Sequence, residues 1–128
     1  MSDMNVHSTE QGPTPTEIRF NKQEKTLHVS FDDGRSFALP AEFLRVESPS
    51  AEVQGHGPGQ KQLVHGRRHV SIIGVEPVGN YAVRLKFDDM HDTGIFSWPI
   101  LYHYGLHYQE MWDDYLAALA EQGMSRDP

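Results

Sequence analysis

Histidine is the residue type in this sequence whose number and spacing most directly suggest chemistry, with eight in 128 residues. Two pairs, His65/His69 and His103/His107, have i, i+4 spacing. On a helix this spacing places both imidazoles on one face, within reach of a single metal ion. The first pair brackets two arginines, whose charge would repel a cation. Solvent-exposed or hydrogen-bonded histidines are the alternative for both pairs.

A second group joins carboxylates to an imidazole: Asp88, Asp89, His91 and Asp92 lie within five consecutive positions. Carboxylate oxygens suit hard cations, and two histidines with one carboxylate suit iron. The spacing is not that of an EF-hand. Aspartate is also a common turn residue, so a solvated hairpin turn is the favoured interpretation.

The stretch 53–75 contains no Asp or Glu, but it contains Lys61, Arg67 and Arg68. Its glycine-rich opening, 55–61, could offer backbone N–H groups to an anion. The order of residues is not that of a phosphate-binding loop. We therefore predict an anion- or partner-binding site at Lys61, Arg67 and Arg68, with an exposed loop as the alternative.

Composition narrows the classes of protein that the chain can represent. Eleven Lys and Arg against 18 Asp and Glu give a net charge of −7, which argues against nucleic-acid binding and against docking on anionic membranes. The absence of cysteine removes disulfides, thiolate metal sites and cysteine nucleophiles. Neither a signal peptide nor a membrane span is recognisable. We expect a cytoplasmic protein with no membrane association.

Alternating apolar residues predict the strands that must position these side chains. Leu27, Val29 and Phe31 alternate with polar residues, and an Asp-Asp-Gly turn at 32–34 follows them. The strands are predicted at 16–22, 26–31, 35–39, 70–78, 81–87 and 93–96. Pro40 is predicted to open a short helix through Arg45.

The C-terminal third is predicted to be a long amphipathic helix. Ser97 is a candidate N-cap and Gly123 a candidate terminator, while Gly105 could divide the helix near residues 98–105 and 107–122. A stripe at helical spacing is predicted as core, with a partner-binding face as the alternative; its members are Tyr104, Tyr108, Met111, Trp112, Tyr115, Leu116 and Leu119.

These elements predict an α+β fold, in which an antiparallel sheet of five to six strands packs against the C-terminal helix. The domain is expected over residues 14–122. Residues 1–13 and 123–128 are polar, and we expect them to be a disordered tail and a flexible tail, respectively.

Several segments together resemble the DUF971 family, the domain that also forms the N-terminus of γ-butyrobetaine hydroxylases. The resemblance covers about residues 14–122. Its segments are Thr16-Glu17-Ile18, Leu27 to Gly34, Leu39 to Arg45 and Gly94 to Trp98.

The resemblance implies a metal site that this chain has largely lost. In the hydroxylases, three cysteines and one histidine bind zinc. The matching positions here are Ser48, Ser50 and Val53 for the cysteines and His91 for the histidine. Hydroxyl groups are poor zinc ligands, so we expect no bound cofactor. A metal ion centred on His91 is the alternative.

The functional expectation follows from the resemblance. The oxygenase chemistry of the hydroxylases belongs to a separate iron-binding domain, and we do not expect it to transfer. The resemblance also implies that members of this family are joined, in some proteins, to P-loop iron–sulfur carrier proteins. We predict a non-catalytic accessory module with a protein partner, such as an iron–sulfur carrier. A metal-binding protein and a small enzyme with a His/Asp site are the alternatives.

Overall fold

A computed structural model describes residues 12–55, 57 and 59–128. The predicted disordered tail therefore lies almost entirely outside the described residues. The first half of the fold contains three strands and two short helices. They are β1 (Pro15–Asn21), β2 (Thr26–Phe31), β3 (Ser36–Pro40), α1 (Ala41–Val46) and α2 (Ala51–Gln54). The second half contains β4 (Ile72–Val78), β5 (Ala82–Phe87), β6 (Gly94–Ser97) and α3 (Trp98–Glu121).

The six strands form two antiparallel sheets of three strands, in the orders β1-β2-β3 and β4-β5-β6. The α+β class is confirmed, but the prediction of one sheet of five to six strands is wrong. Alternation identifies a strand and its inward face, and it contains no information about pairing between strands that no tight turn connects. Residues 41–71, between β3 and β4, separate the two sheets along the chain.

The inward faces of the two sheets and the start of α3 share one hydrophobic core. Leu27 and Val29 of β2 are fully buried, as the alternation predicts, and they pair with Leu39 and Phe37 of β3. In β5, Leu85 is fully buried in the same core. Burial of apolar side chains is the main stabilising contribution to such a fold.

Helix α1 is buried along its whole length, charged residues included. Glu42 and Arg45 are therefore shielded from water and require partners of opposite charge, which distant parts of the chain supply. Arg126 binds Glu42 through two hydrogen bonds of 2.8 and 2.7 Å. Asp89 accepts from Nε of Arg45 at 2.8 Å.

Helix α3 begins as predicted. The Ile100 N–H donates to the Ser97 hydroxyl at 3.4 Å. A kink occurs at His107 (φ −113°, ψ 16°), two residues beyond the predicted break at Gly105. A Cβ at Gly105 would lie 2.3 Å from the ring of Phe37, so this glycine permits close packing of α3 on β3.

The predicted stripe on α3 is mostly inward-facing. Tyr104, Tyr115 and Leu119 are buried, and Met111 and Trp112 are partly buried. One member is wrong as a core residue: Leu116 is among the exposed apolar side chains. Helix geometry accounts for this difference: each step of four residues exceeds a turn of 3.6 residues, so Leu116, at the end of the run Tyr104, Tyr108 and Trp112, lies at the edge of the inward face. None of the described helices has the length and apolar character that crossing a membrane requires.

The C-terminal segment that the sequence marks as a flexible tail makes specific contacts. The N–H groups of Gly66 and Arg68 donate to the carbonyls of Ser125 and Arg126, each at 2.9 Å. The Arg126 guanidinium lies 5.2 Å from the ring centre of Trp112. These contacts were not predictable from the sequence because the segment has few apolar residues, whereas its attachment depends on backbone hydrogen bonds and one buried ion pair.

Candidate functional site

The structure brings three of the four residues that the resemblance aligns with zinc ligands into one buried cluster. Nε2 of His91 lies 2.9 Å from Oγ of Ser48 and 3.4 Å from Oγ of Ser50. The loop after β5 carries His91, and the turn between α1 and α2 carries the serines. Val53, the fourth position, is buried in α2. The sequence correspondence therefore has a geometric counterpart, with hydroxyl groups in place of thiols.

His91 is buried in this cluster, and its surroundings disfavour the charged form of the imidazole. Burial lowers the pKa of His91 below its ordinary value, and the charge of Arg45 lowers this pKa further. Oε1 of Glu52 lies 3.5 Å from Nδ1 of His91 and has the opposite effect. The effect of burial is the larger one, because the Glu52 side chain is two-thirds exposed and solvent screens its charge. A neutral imidazole with its proton on Nδ1 can accept a hydrogen bond at Nε2 from the Ser48 hydroxyl.

The prediction of a metal ion at His91 finds no supporting ligand set in the part of the chain that the structure describes. No group of three or more His, Cys, Asp or Glu side chains has a metal-binding arrangement there. Of the aspartate cluster, Asp88 accepts from the Ser71 N–H, and Asp89 binds arginines. The structure confirms a turn at 88–90, in which Asp88 is exposed. The prediction that the whole cluster is solvated is wrong, because His91 is buried and Asp89 is largely shielded by its arginines.

Asp89 holds two arginines from distant parts of the chain. Its Oδ2 atom accepts from Nε of Arg45 at 2.8 Å and from Nε of Arg67 at 2.7 Å. Its Oδ1 atom accepts from the backbone N–H of His91 at 3.3 Å. Burial opposes ionisation of Asp89, but the hydrogen bond and charge of Arg45 outweigh it, so the pKa of Asp89 is lowered. This Arg45–Asp89–Arg67 cluster fixes the loop after β5 against α1.

Each of the three predicted anion-binding cations is paired with a carboxylate from outside the acid-free stretch. Lys61 Nζ lies 2.6 Å from Glu47, Arg67 binds Asp89, and Arg68 Nε lies 2.5 Å from Asp127. The three cations therefore do not form a single unpaired positive surface. The positive charges were evident from the sequence, whereas the acids that the fold brings to them were not. His56 and Pro58, in the glycine-rich opening, lie outside the described residues.

The two histidine pairs differ in geometry. His65 and His69 lie in a segment with no helix or strand, where i, i+4 spacing does not place two rings on one face. His103 and His107 are exposed on α3, and their ring centres are 4.5 Å apart. Oε1 of Glu110 lies 3.4 Å from Nδ1 of His107. Their role as ligands stays a prediction.

A groove of about 580 Å³ lies between α3 and the extended segment 61–64. The Tyr115 hydroxyl crosses it to donate to the Val64 carbonyl at 2.7 Å, and burial raises the pKa of Tyr115 to about 12. The walls are mainly apolar; they include Leu63, Val64, Met111, Tyr115, Ala118 and Met124. Met111 and Tyr115 belong to the stripe predicted as core, and no pattern in 61–64 indicates that this segment forms the facing wall.

The rim of this groove is acidic. Asp114 and Glu121 are exposed and line its mouth from α3. Neither forms an ion pair with any residue that the structure describes. Lys61 and Glu47 also line the groove, but they neutralise each other. The charge left over at the mouth is therefore negative.

Comparison with known proteins identifies related sequences and structures. The family model described as "Gamma-butyrobetaine hydroxylase-like, N-terminal" matches residues 18–102. No curated protein matches the chain.

Three solved structures are similar to this chain over most of their own length. Two were determined by NMR in solution, and both have a TM-score of 0.80. One is 50% identical, with 91% of each chain covered; the other is 45% identical, covering 91% of this chain and 87% of that one. A crystal structure of a protein of unknown function from Acidithiobacillus ferrooxidans, a member of the DUF971 family, is 43% identical with a TM-score of 0.58. That match covers 69% of this chain and 88% of the other.

Proposed function

Because this chain belongs to the gamma-butyrobetaine hydroxylase-like, N-terminal (DUF971) family, we propose that it is a non-catalytic module that binds a protein partner and serves an iron–sulfur or oxygenase system. The single observation that carries the proposal is the apolar groove with its acidic rim. The link to iron–sulfur or oxygenase systems rests on the association of related domains with such proteins.

The groove supports a protein partner through its shape and its chemistry. Apolar grooves beside a helix commonly accept the apolar face of a partner's amphipathic helix. The unpaired carboxylates of Asp114 and Glu121 favour a partner whose helix carries basic residues beside its apolar face. The net charge of −7 attracts a basic partner over longer distances. The proposed occupant is therefore a basic amphipathic helix of another protein.

The environment of His91 supports a non-catalytic role. Its side chain is 5% exposed, and Nε2 is engaged with the Ser48 hydroxyl. A general base must reach the proton that it removes from a substrate. An imidazole held inside the protein by hydroxyl groups of the same chain is better suited to stabilising the loop after β5.

Binding to the groove can be tested with a defined probe. A synthetic helix of leucine and lysine, amphipathic by design, would be titrated into the isotope-labelled protein and followed by NMR, beside a matched helix with glutamate for lysine. We expect saturable shifts at Leu63, Met111 and Ala118 with the basic helix. Equal binding of the acidic helix, or shifts elsewhere, would contradict the proposal.

Charge-reversal variants provide a matched control on one helix. Asp114→Lys/Glu121→Lys reverses the rim, whereas Glu110→Lys/Asp113→Lys makes the same change on α3 outside the groove lining. We expect the rim variant to weaken binding roughly fivefold, because each exposed ion pair contributes about 0.2–1 kcal/mol. The control variant should lose less affinity for the basic helix. Identical losses would show a general charge effect and refute the groove as the docking surface.

The cellular partner class needs a separate experiment. Proteins co-purifying from native extract with the parent, the rim variant and the control variant would be compared. The proposal expects a partner with an iron–sulfur cluster or oxygenase activity that is lost only in the rim variant. If the partner set contains no such protein, the association with those systems is refuted even where the groove binds the helix.

A further inference from the structure

We propose that the Arg45–Asp89–Arg67 cluster binds a small oxyanion, a carboxylate or a phosphate, between its two guanidinium groups. This site is distinct from the groove and from the predicted trio of Lys61, Arg67 and Arg68. It shares only Arg67 with that trio, and it adds Arg45, which the sequence placed in a short helix without a role.

The first support is a shortage of hydrogen-bond acceptors at the Asp89 carboxylate; outside it, Nη1 of Arg67 donates to the His65 carbonyl at 2.9 Å. Both Arg45 and Arg67 donate through Nε to the same atom, Oδ2 of Asp89, and Oδ1 is occupied by the His91 N–H. A guanidinium has five donors in a planar fork, which suits two parallel bonds to one carboxylate or phosphate. Neither arginine forms that two-pronged contact with Asp89 here.

The second support is an unpartnered donor. The Arg45 side chain is 10% exposed, and its Nη1 atom is buried without an acceptor among the described residues. Buried polar atoms are nearly always hydrogen-bonded, because leaving one unpaired costs about 1–3 kcal/mol. An additional oxygen ligand would supply the missing acceptor.

The third support is charge and access. Two guanidinium groups against one carboxylate leave one positive charge in the cluster. The Arg67 side chain is 35% exposed and forms the solvent side of the cluster. The neighbouring acids are engaged elsewhere: Asp88 accepts from the Ser71 N–H, and Glu52 accepts from the Thr93 hydroxyl and faces His91.

NMR titration of the whole protein with inorganic phosphate, at constant ionic strength, tests this site. We expect saturable shifts of the Arg45 Nε–H signal and of the Asp89 and His91 amides. A parallel titration with acetate separates a preference for phosphate from general binding of oxyanions. Shifts that rise linearly without saturation, or that spread over all exposed cations, would overturn the proposal.

Two neighbouring arginines give a matched pair of variants. Arg67→Gln removes a cluster member, while Arg68→Gln removes the same charge from the adjacent position, where the partner is Asp127. Affinity should fall at least threefold in Arg67→Gln and remain within experimental error in Arg68→Gln. Equal affinity in both variants would refute the site. Arg67→Lys, which keeps the charge and loses the fork, should give an intermediate value and covers the case in which Arg67→Gln does not fold.

Discussion

The Ser48 hydroxyl lies 2.9 Å from Nε2 of His91 inside the protein, joining the end of α1 to the loop after β5. Gly94, at the start of β6, packs closely against this contact, because a Cβ there would lie 2.5 Å from Oγ of Ser48. The two residues thus form a hydrogen bond between segments that are 43 positions apart in sequence. Burial lowers the pKa of His91, so protonation of its imidazole disfavours the folded state and makes the stability of the protein dependent on pH.

We predict that the free energy of unfolding falls as the pH is lowered from about 7.5 to about 5, the range in which histidine titrates. The pKa of His91 is about 6.5 in the unfolded chain and lower in the folded one. Between these two values the unfolded state binds more protons, so stability rises with pH in that window. Urea denaturation across the range measures the effect.

Substitution of His91 separates its contribution to the pH dependence of stability from the contributions of the other histidines. His91→Gln should lower stability by about 1–3 kcal/mol at neutral pH, because it disturbs a buried hydrogen bond, and should flatten the pH profile. His103→Gln, on the exposed face of α3, should leave both unchanged. An unaltered slope in His91→Gln would assign the pH dependence to other groups.

We predict that two thiols convert the His91 cluster into a zinc site. In Ser48→Cys/Ser50→Cys the new sulfur atoms would replace hydroxyls that lie 2.9 and 3.4 Å from Nε2 of His91. Two thiolates and an imidazole form three of the four ligands of a tetrahedral zinc site. Titration with zinc against a competing chelator should show one equivalent bound.

The control for zinc binding is Ser48→Cys/Ser50→Cys/His91→Gln, which keeps both thiols and removes the imidazole. This triple variant should bind zinc at least tenfold more weakly. Failure of the double variant to bind zinc would show that these three positions share a location without sharing a ligand geometry.

We predict that the Glu42–Arg126 pair stabilises the fold more than a surface ion pair does. The Glu42 side chain is 7% exposed, so Arg126→Ala leaves a buried carboxylate without its partner. We expect a loss of about 1–3 kcal/mol. Arg68→Ala, which breaks a pair that is 39% and 64% exposed, should cost about 0–1 kcal/mol. Equal losses in urea denaturation would contradict the special role of Arg126.

The local elements of this fold could be predicted from the sequence, but their assembly could not. Alternation located β2 correctly at 26–31, and Ser97 and Gly123 mark the ends of α3. These signals depend on neighbours within a few positions. The division into two sheets depends on which strands meet in space, and no local pattern encodes that.

The same contrast between local signals and long-range contacts applies to the candidate site. The resemblance placed Ser48, Ser50 and His91 in one cluster because a motif fixes positions residue by residue. The electrostatics of Arg67 and Arg68 were not predictable, since their partners, Asp89 and Asp127, are 22 and 59 positions away. The groove could not be predicted because segment 61–64 has no hydrophobic periodicity. Its apolar residues form a wall only because the fold places the segment beside α3.

Division into two sheets leaves four outer strands where a single sheet would leave two. An outer strand presents unpaired N–H and C=O groups that another chain can extend, which is a route to aggregation. Three of the four contain a proline: Pro15 in β1, Pro40 in β3 and Pro77 in β4. Proline has no N–H to donate, and the fourth outer strand, β6, is only four residues long. The outer strands of both sheets are therefore poorly suited to pairing with a strand of another molecule.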